Sequence, residues 1–249
     1  MGILFTIFVS LSIGVIALLQ FIFYMRKREV VALSIHLQSL FFSIFWLAMG
    51  FVWILSSVSD IFIWIGNVSE SYLAAMAVQV MIGVAMTFAL LFFAVRFPTQ
   101  RLPAQFALYR LIWFLFVPLF GVLGAFLWFV FRDGLISQEV TFFAHQTILS
   151  HSAEVAFGIV FGAVIIFSAM YLFQGIIGWR IAVIERRFIL FASLSFLLLG
   201  VSGAVEQFGV VSDIIVPASR LLALIASMAA YIATTSIVEV KSQRKELLI

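Results

Sequence analysis

The segment Ile3–Arg28 reads ILFTIFVSLSIGVIALLQFIFYMRKR, an apolar run that is followed at once by three basic residues. Its apolar part, Ile3–Met25, is longer than the stretch of about 20 residues that a helix needs to cross a hydrocarbon core of about 30 Å. No basic residue precedes the run, and it is longer than the apolar core of a signal peptide. We therefore expect a retained membrane helix that ends at a basic junction.

Similar apolar runs recur through the chain of 249 residues, of which 65% are hydrophobic and 10% are charged. A soluble domain needs far more polar surface than this composition supplies. The sequence predicts an all-α integral membrane protein, a single domain over residues 1–249 with seven spans and no soluble domain. After Ile3–Met25, the predicted spans are Val30–Leu55, Tyr72–Val95, Leu111–Phe131, Ser152–Trp179, Phe188–Phe208 and Ile214–Val238.

The basic residues are concentrated at alternate junctions between these spans. Three Lys or Arg residues follow each of the first, third, fifth and seventh spans. The chain has 14 Lys and Arg residues, and the two that lie elsewhere are Arg132 and Arg220. Lys and Arg are enriched in cytoplasmic connections. An outside N-terminus and a cytoplasmic C-terminus are therefore predicted. The junction residues are Arg26, Lys27, Arg28, Arg96, Arg101, Arg110, Arg180, Arg186, Arg187, Lys241, Arg244 and Lys245.

Two of the opposite connections, Ser56–Ser71 and Gly134–His151, are long and contain aromatic residues. Aromatic side chains favour the interface between lipid and water, so we expect both connections to lie there. Kinks are expected at Pro118 and Pro217, since proline removes a backbone hydrogen bond within a helix.

Arg220 is the one basic residue that falls within a predicted membrane span. The short turn between the last two spans brings Glu206 to nearly the same depth on the neighbouring helix, where an ion pair is expected. An ionisable residue within a membrane indicates a functional site, although a purely structural ion pair is an equal alternative. Together with Glu154 and Gln79, Glu206 and Arg220 form the predicted ligand site, an outward-facing polar pocket.

His145, His151 and Glu154 are a weak candidate for a metal site, since two imidazoles and a carboxylate can ligate zinc. Their spacing fits no established metal motif, and Glu154 equally suits the first turn of a helix. A second polar group, His36, Ser39 and Gln174, is predicted near the cytoplasmic side. A hydrogen-bonded network between helices is the favoured interpretation of that group.

A seven-span bundle with an outside N-terminus is similar in topology to retinal proteins and to other seven-helix sensors. Retinal attachment needs a lysine in the last helix, and Ile214–Val238 contains none. Covalent retinal is therefore excluded. A heme held by two histidines is not expected either, because His36 is predicted near the opposite membrane face from His145 and His151. No cofactor is predicted.

No nucleophile elbow, paired aspartates or other catalytic motif occurs in the sequence. We expect a non-enzymatic, sensor or receptor-like protein of the plasma membrane that binds a small ligand or ion from outside. Its partners would be the lipid bilayer and a membrane or cytoplasmic protein, with no nucleic acid. The oligomeric state is not predicted. The alternatives are a small transporter or channel, and a structural subunit with a lipid-facing groove around Gly158 and Gly162.

Overall fold

The computed structural model describes residues 2–27, 33–96, 135–140, 145–149, 158, 162, 164–173, 176, 183–208 and 214–246. They form six helices and one β-hairpin. In chain order these elements are α1 (Gly2–Lys27), α2 (Leu33–Trp64), α3 (Val68–Arg96), β1 (Leu135–Val140), β2 (His145–Leu149), α4 (Val164–Phe173), α5 (Val183–Phe208) and α6 (Ile215–Glu246).

Five of these helices are long and apolar enough to cross a membrane, and the chain is an α-helical membrane protein. They correspond to the first, second, third, sixth and seventh predicted spans. The fourth predicted span, Leu111–Phe131, lies outside the described residues, as does Pro118. The fifth, Ser152–Trp179, is described only in part, chiefly as α4. The count of seven spans thus stays a prediction.

Each long helix divides its surface between lipid and neighbours, and α1 shows this most clearly. Two stripes with the helical period of 3.6 residues lie on opposite sides of it. The exposed stripe is entirely apolar, as a lipid-facing surface requires, whereas the buried stripe carries several polar side chains. The exposed residues are Leu4, Phe8, Leu11, Val15, Leu19 and Ile22, and the buried ones are Thr6, Ser10, Ile13, Ala17, Gln20 and Tyr24.

The start of α2, the end of α3 and the start of α5 meet at one end of the bundle. The ring of Phe42 lies 5.6 Å from that of Phe92 and 5.6 Å from that of Phe188. The end of α1 is there too, because Tyr24 and His36 have ring centroids 6.4 Å apart. We call this the basic end, because it is the end at which the described Lys and Arg residues other than Arg220 occur, including those in the part of α6 that extends past the bundle.

The other end holds the acidic residues Asp60, Glu70 and Glu206, and we call it the acidic end. Neighbouring helices are joined there by hydrogen bonds from serine hydroxyls. These run between α2 and α3 (Ser59 to Ser71) and between α5 and α6 (Ser202 to Ser219). Between α1 and α2, Oγ of Ser57 lies 3.5 Å from the carbonyl oxygen of Ile7, while it donates over 2.9 Å to Trp53 in its own helix.

Helices α1 and α2 pack closely where two glycines face each other. A Cβ added at Gly14 would lie 2.7 Å from Cγ1 of Ile54 and 3.2 Å from the carbonyl oxygen of Gly50. A Cβ added at Gly50 would lie 3.2 Å from Cβ of Ala17. Small residues permit this close packing between membrane helices. We call this contact the glycine crossing.

The second helix is longer than predicted, which corrects the expectation for Ser56–Ser71. The helix α2 continues to Trp64, because no glycine or proline occurs between Leu55 and Gly66. Gly66 has a φ of 79°, the left-handed conformation that commonly ends a helix. Asn67 then caps α3 by accepting a hydrogen bond from the backbone N–H of Glu70. Most of this segment is thus helix and not an interfacial connection.

The connection Gly134–His151 contains an antiparallel hairpin, with Val140 paired to His145, and its position at the membrane interface stays a prediction. One further expectation is corrected. Pro217 is the third residue of α6 and not an interior one. The first four backbone N–H groups of a helix have no partner within it, so this proline removes no helical hydrogen bond and produces no kink for that reason.

Candidate functional site

Arg220 lies in the second turn of α6, and its side chain is only 2% exposed. A buried guanidinium in a membrane bundle needs charged or polar partners, because an unpaired charge there is costly. It obtains them from three other helices, so the site is assembled by the packing of α1, α2, α5 and α6.

Asp60 on α2 is the nearest charged partner of Arg220. Nη1 of Arg220 donates a hydrogen bond of 2.8 Å to Oδ2 of Asp60 and another of 3.0 Å to Oγ of Ser10 on α1. The Asp60 side chain is fully buried in this pair. The first and second helices are therefore bound to the seventh predicted span through one guanidinium nitrogen.

Glu206 on α5 is the second carboxylate, and its position differs from that of Asp60. Its Oε1 lies 3.7 Å from Nη2 of Arg220, and its side chain is 27% exposed. Ser219 donates a hydrogen bond of 3.4 Å to Oε2 of Glu206. The carbonyl oxygen of Ser219 in turn accepts a hydrogen bond of 2.7 Å from the hydroxyl of Ser202, which holds α5 and α6 against each other. We call Ser10, Asp60, Glu206, Ser219 and Arg220 the Arg220 cluster.

The charges in the Arg220 cluster do not balance when all its groups are ionised. Among the residues that the structure describes, two carboxylates face one guanidinium, which gives these three groups a net charge of −1. The fully buried Asp60 is paired with Arg220 at close range, whereas Glu206 is the partly exposed carboxylate. Such a site favours a cation or a group that carries positive charge.

The sequence correctly placed Glu206 beside Arg220 but missed the closer partner. Asp60 had been assigned to a connection, since the predicted second span ended at Leu55. A signal was nevertheless present. Polar residues along α2 are separated by steps of 3, 4, 14 and 3 residues, which places them on one face of a helix with 3.6 residues per turn. They are His36, Ser39, Ser43, Ser57 and Asp60.

Gln79, another predicted ligand residue, lies on α3 and is 7% exposed. Its Oε1 has no hydrogen-bond partner among the described residues. No described hydrogen bond or ion pair joins Gln79 to the Arg220 cluster. Glu154 lies outside the described residues. The roles of Gln79 and Glu154 as ligand residues therefore stay predictions.

The metal candidate is described only at His145, whose backbone belongs to β2, while His151 and Glu154 lie outside the described residues. Within the described ranges, no group of three or more metal-ligating side chains occurs. Zinc binding at these positions stays a prediction.

Two residues of the predicted inner network, His36 and Ser39, are described near the basic end, and the network itself stays a prediction. The hydroxyl of Tyr24 donates to the carbonyl oxygen of His36 over 3.5 Å. Nε2 of Gln38 donates a 2.6 Å hydrogen bond to the hydroxyl of Tyr171 on α4. Ser39 is fully buried nearby on α2, and Gln174 lies outside the described residues. Gln38 and Tyr171 were not part of the predicted network.

Comparison with known protein families, with curated proteins and with solved structures found no match to this chain.

Proposed function

We propose that this chain is a non-enzymatic sensor or receptor-like membrane module that binds a small, positively charged ligand or ion at the Arg220 cluster. The observation that carries the proposal is the asymmetry between the two carboxylates. Asp60 is fully buried and 2.8 Å from Arg220, whereas Glu206 is 27% exposed and 3.7 Å away. Glu206 is thus the carboxylate of the cluster that a ligand can reach.

A small anion is the less suitable ligand for this cluster. It would have to reach Arg220 itself, which is 2% exposed and already bound to Asp60 and Ser10. A cation needs only to approach Glu206, without displacing those contacts. Its binding would compete with Arg220 for the Glu206 carboxylate and would alter the contact between α5 and α6.

The proposed topology has seven spans, with the acidic end and the N-terminus outside and the C-terminal tail in the cytoplasm. The described helices support an odd number of spans. The helix α3 ends and α5 begins at the basic end, so the intervening chain crosses the membrane an even number of times. Two crossings there give seven spans, and none gives five.

The position of α4 favours two crossings in that intervening chain. Ile165 lies close to Gly200, in the middle of α5, while Tyr171 contacts Gln38 and Phe92 near the basic end. The helix α4 therefore runs toward the basic end inside the bundle, as the predicted fifth span requires. The positive-inside rule then places the basic end in the cytoplasm of a plasma membrane.

A continuous polar path along α1 and α2 would have favoured a transporter or channel. The glycine crossing lies between the Arg220 cluster and the network at His36. Gly14 and Gly50 are so close there that even an added Cβ would be crowded. No room for a permeating ion exists between these two helices at that level. We therefore favour a sensor that passes its signal to a membrane or cytoplasmic partner.

Thermal unfolding of the purified protein in detergent tests the proposal. Chloride salts of Na⁺, Ca²⁺ and choline are compared at constant ionic strength with N-methylglucamine as the reference. At least one cation should raise the unfolding temperature of the wild type but not that of Glu206→Gln. Glu70→Gln is the matched control, because Glu70 is an exposed acid at the same end and outside the cluster.

The response of Glu70→Gln should equal that of the wild type. The proposal is wrong if none of the probes stabilises the wild type, or if Glu206→Gln responds to the same extent as Glu70→Gln. Either outcome would leave the Arg220 cluster as a purely structural ion pair that fastens the helices together.

A further inference from the structure

Gln20 on α1 and Ser43 and Trp46 on α2 lie at a similar depth in the bundle, on the basic-end side of the glycine crossing. Cβ of Ala17 is 3.2 Å from the place where a Cβ on Gly50 would be. Gln20 is one turn beyond Ala17, and Trp46 is one turn before Gly50 on the antiparallel helix. Gln20 and Trp46 are therefore at the same depth, and Ser43 follows one turn further. We call these three residues the Gln20 group.

The side chains of the Gln20 group are fully enclosed by protein. Their exposed fractions are 0% for Gln20, 1% for Ser43 and 0% for Trp46. Even so, Nε2 and Oε1 of Gln20, Oγ of Ser43 and Nε1 of Trp46 have no hydrogen-bond partner among the described residues. Buried polar atoms are nearly always hydrogen-bonded to protein or to ordered water.

The serine of this group also departs from the pattern of other buried serines in the bundle. Ser193 and Ser168, for example, donate to the carbonyl oxygen four residues earlier in their own helices, as serine in a helix commonly does. No such bond is formed by Ser43. Its hydroxyl remains available at the same level of the bundle as the unpartnered amide of Gln20.

We propose that the Gln20 group is a site for ordered water within the membrane-spanning bundle. The four atoms need a ligand that both donates and accepts hydrogen bonds. The amide and indole nitrogens donate, Oε1 of Gln20 accepts, and the hydroxyl of Ser43 does both. None of the three side chains is charged, so an ion is not required. Water has the right chemistry and is the smallest molecule that has it.

This site is independent of the proposed cation site. The glycine crossing lies between the Gln20 group and the Arg220 cluster, and no residue is shared by the two. A water site here hydrates the inner part of the contact between α1 and α2.

Nuclear magnetic resonance of the protein labelled with ¹⁵N in its tryptophan indoles tests the inference directly. The chain has six tryptophans, and the Trp46 signal is assigned by its loss in Trp46→Phe. In the wild type, the indole proton of Trp46 should show a cross-peak to water. Because Trp46 is fully buried, bulk solvent cannot produce that cross-peak.

Substitution Gln20→Leu keeps a similar side-chain volume and removes both amide atoms. It should weaken the water cross-peak of Trp46, whereas Leu19→Met at the neighbouring lipid-facing position should leave it unchanged. The inference is overturned if wild-type Trp46 shows no contact with water. It is also overturned if Gln20→Leu raises the unfolding temperature and leaves the Trp46 signal as it was, as removal of a dry, unpaired amide would do. The wild-type spectrum decides the matter even if a variant fails to fold.

Discussion

Arg220 and Asp60 form a buried ion pair in which Nη1 lies 2.8 Å from Oδ2 and the two side chains are 2% and 0% exposed. The residues are 160 positions apart in the chain, and their helices have few other contacts. The pair therefore joins parts of the bundle that apolar packing alone brings together only weakly. Glu206, the more obvious partner in sequence, is the more distant one.

Asp60→Asn should destabilise the protein strongly, because it keeps the shape of the side chain but removes the charge that neutralises Arg220. Removal of one partner from a buried ion pair typically costs about 3–5 kcal/mol. Glu206→Gln should cost much less, about 0–1 kcal/mol, because this carboxylate is partly exposed and more distant from the guanidinium. Equilibrium unfolding in mixed detergent micelles measures both losses of unfolding free energy.

The double variant Asp60→Leu with Arg220→Met is the control for the origin of this effect. Replacement of both charges by apolar side chains leaves no fully buried charge unpaired, because Glu206, which loses Arg220, is partly exposed. The double variant should therefore be more stable than Asp60→Asn alone. Equal losses in Asp60→Asn and Glu206→Gln would contradict the assignment of Asp60 as the principal partner.

The sequence predicted five of the spans that the structure describes, because their apolar length and basic flanks are local properties. Partners across helices are not local. The predicted second span ends at Leu55, where the apolar run gives way to serines. Asp60 therefore falls outside the predicted helix, and the sequence gives no reason to pair it with Arg220. The structure continues that helix to Trp64, since serines in a membrane helix can satisfy their hydroxyls on the preceding turn. Ser57 does so by donating to Trp53.

The glycine crossing was likewise absent from the sequence-based expectations. Gly14 and Gly50 occupy single positions in separate spans and form no motif that either span reveals alone. Their pairing depends on the register of two antiparallel helices. By contrast, the glycines that the sequence singles out, Gly158 and Gly162, stand four residues apart in one predicted span and form a visible pattern.

Gly14→Ala should destabilise the bundle, because the new Cβ would lie 2.7 Å from Cγ1 of Ile54. Overpacking of this kind typically costs about 1–3 kcal/mol. A second substitution, Ile54→Ala, removes the crowded atoms and should recover part of the loss. Val15→Ala at an exposed, lipid-facing position is the control and should change the unfolding free energy by less than about 0.5 kcal/mol. An unchanged stability of Gly14→Ala would mean that α1 and α2 are farther apart than the structure has them.

The number of spans can be decided at the β-hairpin, because the chain has no cysteine and single cysteines can be introduced one at a time. Ser137→Cys lies on β1, between the ends of α3 and α5. With seven spans it should react with a membrane-impermeant maleimide on intact cells, whereas with five it should react only after permeabilisation. Ser69→Cys at the acidic end and Ser242→Cys in the α6 tail calibrate the outer and inner sides. If Ser137→Cys is labelled on the same side as Ser242→Cys, the chain crosses the membrane five times. If Ser69→Cys and Ser242→Cys are labelled on the same side as each other, the proposed orientation is wrong.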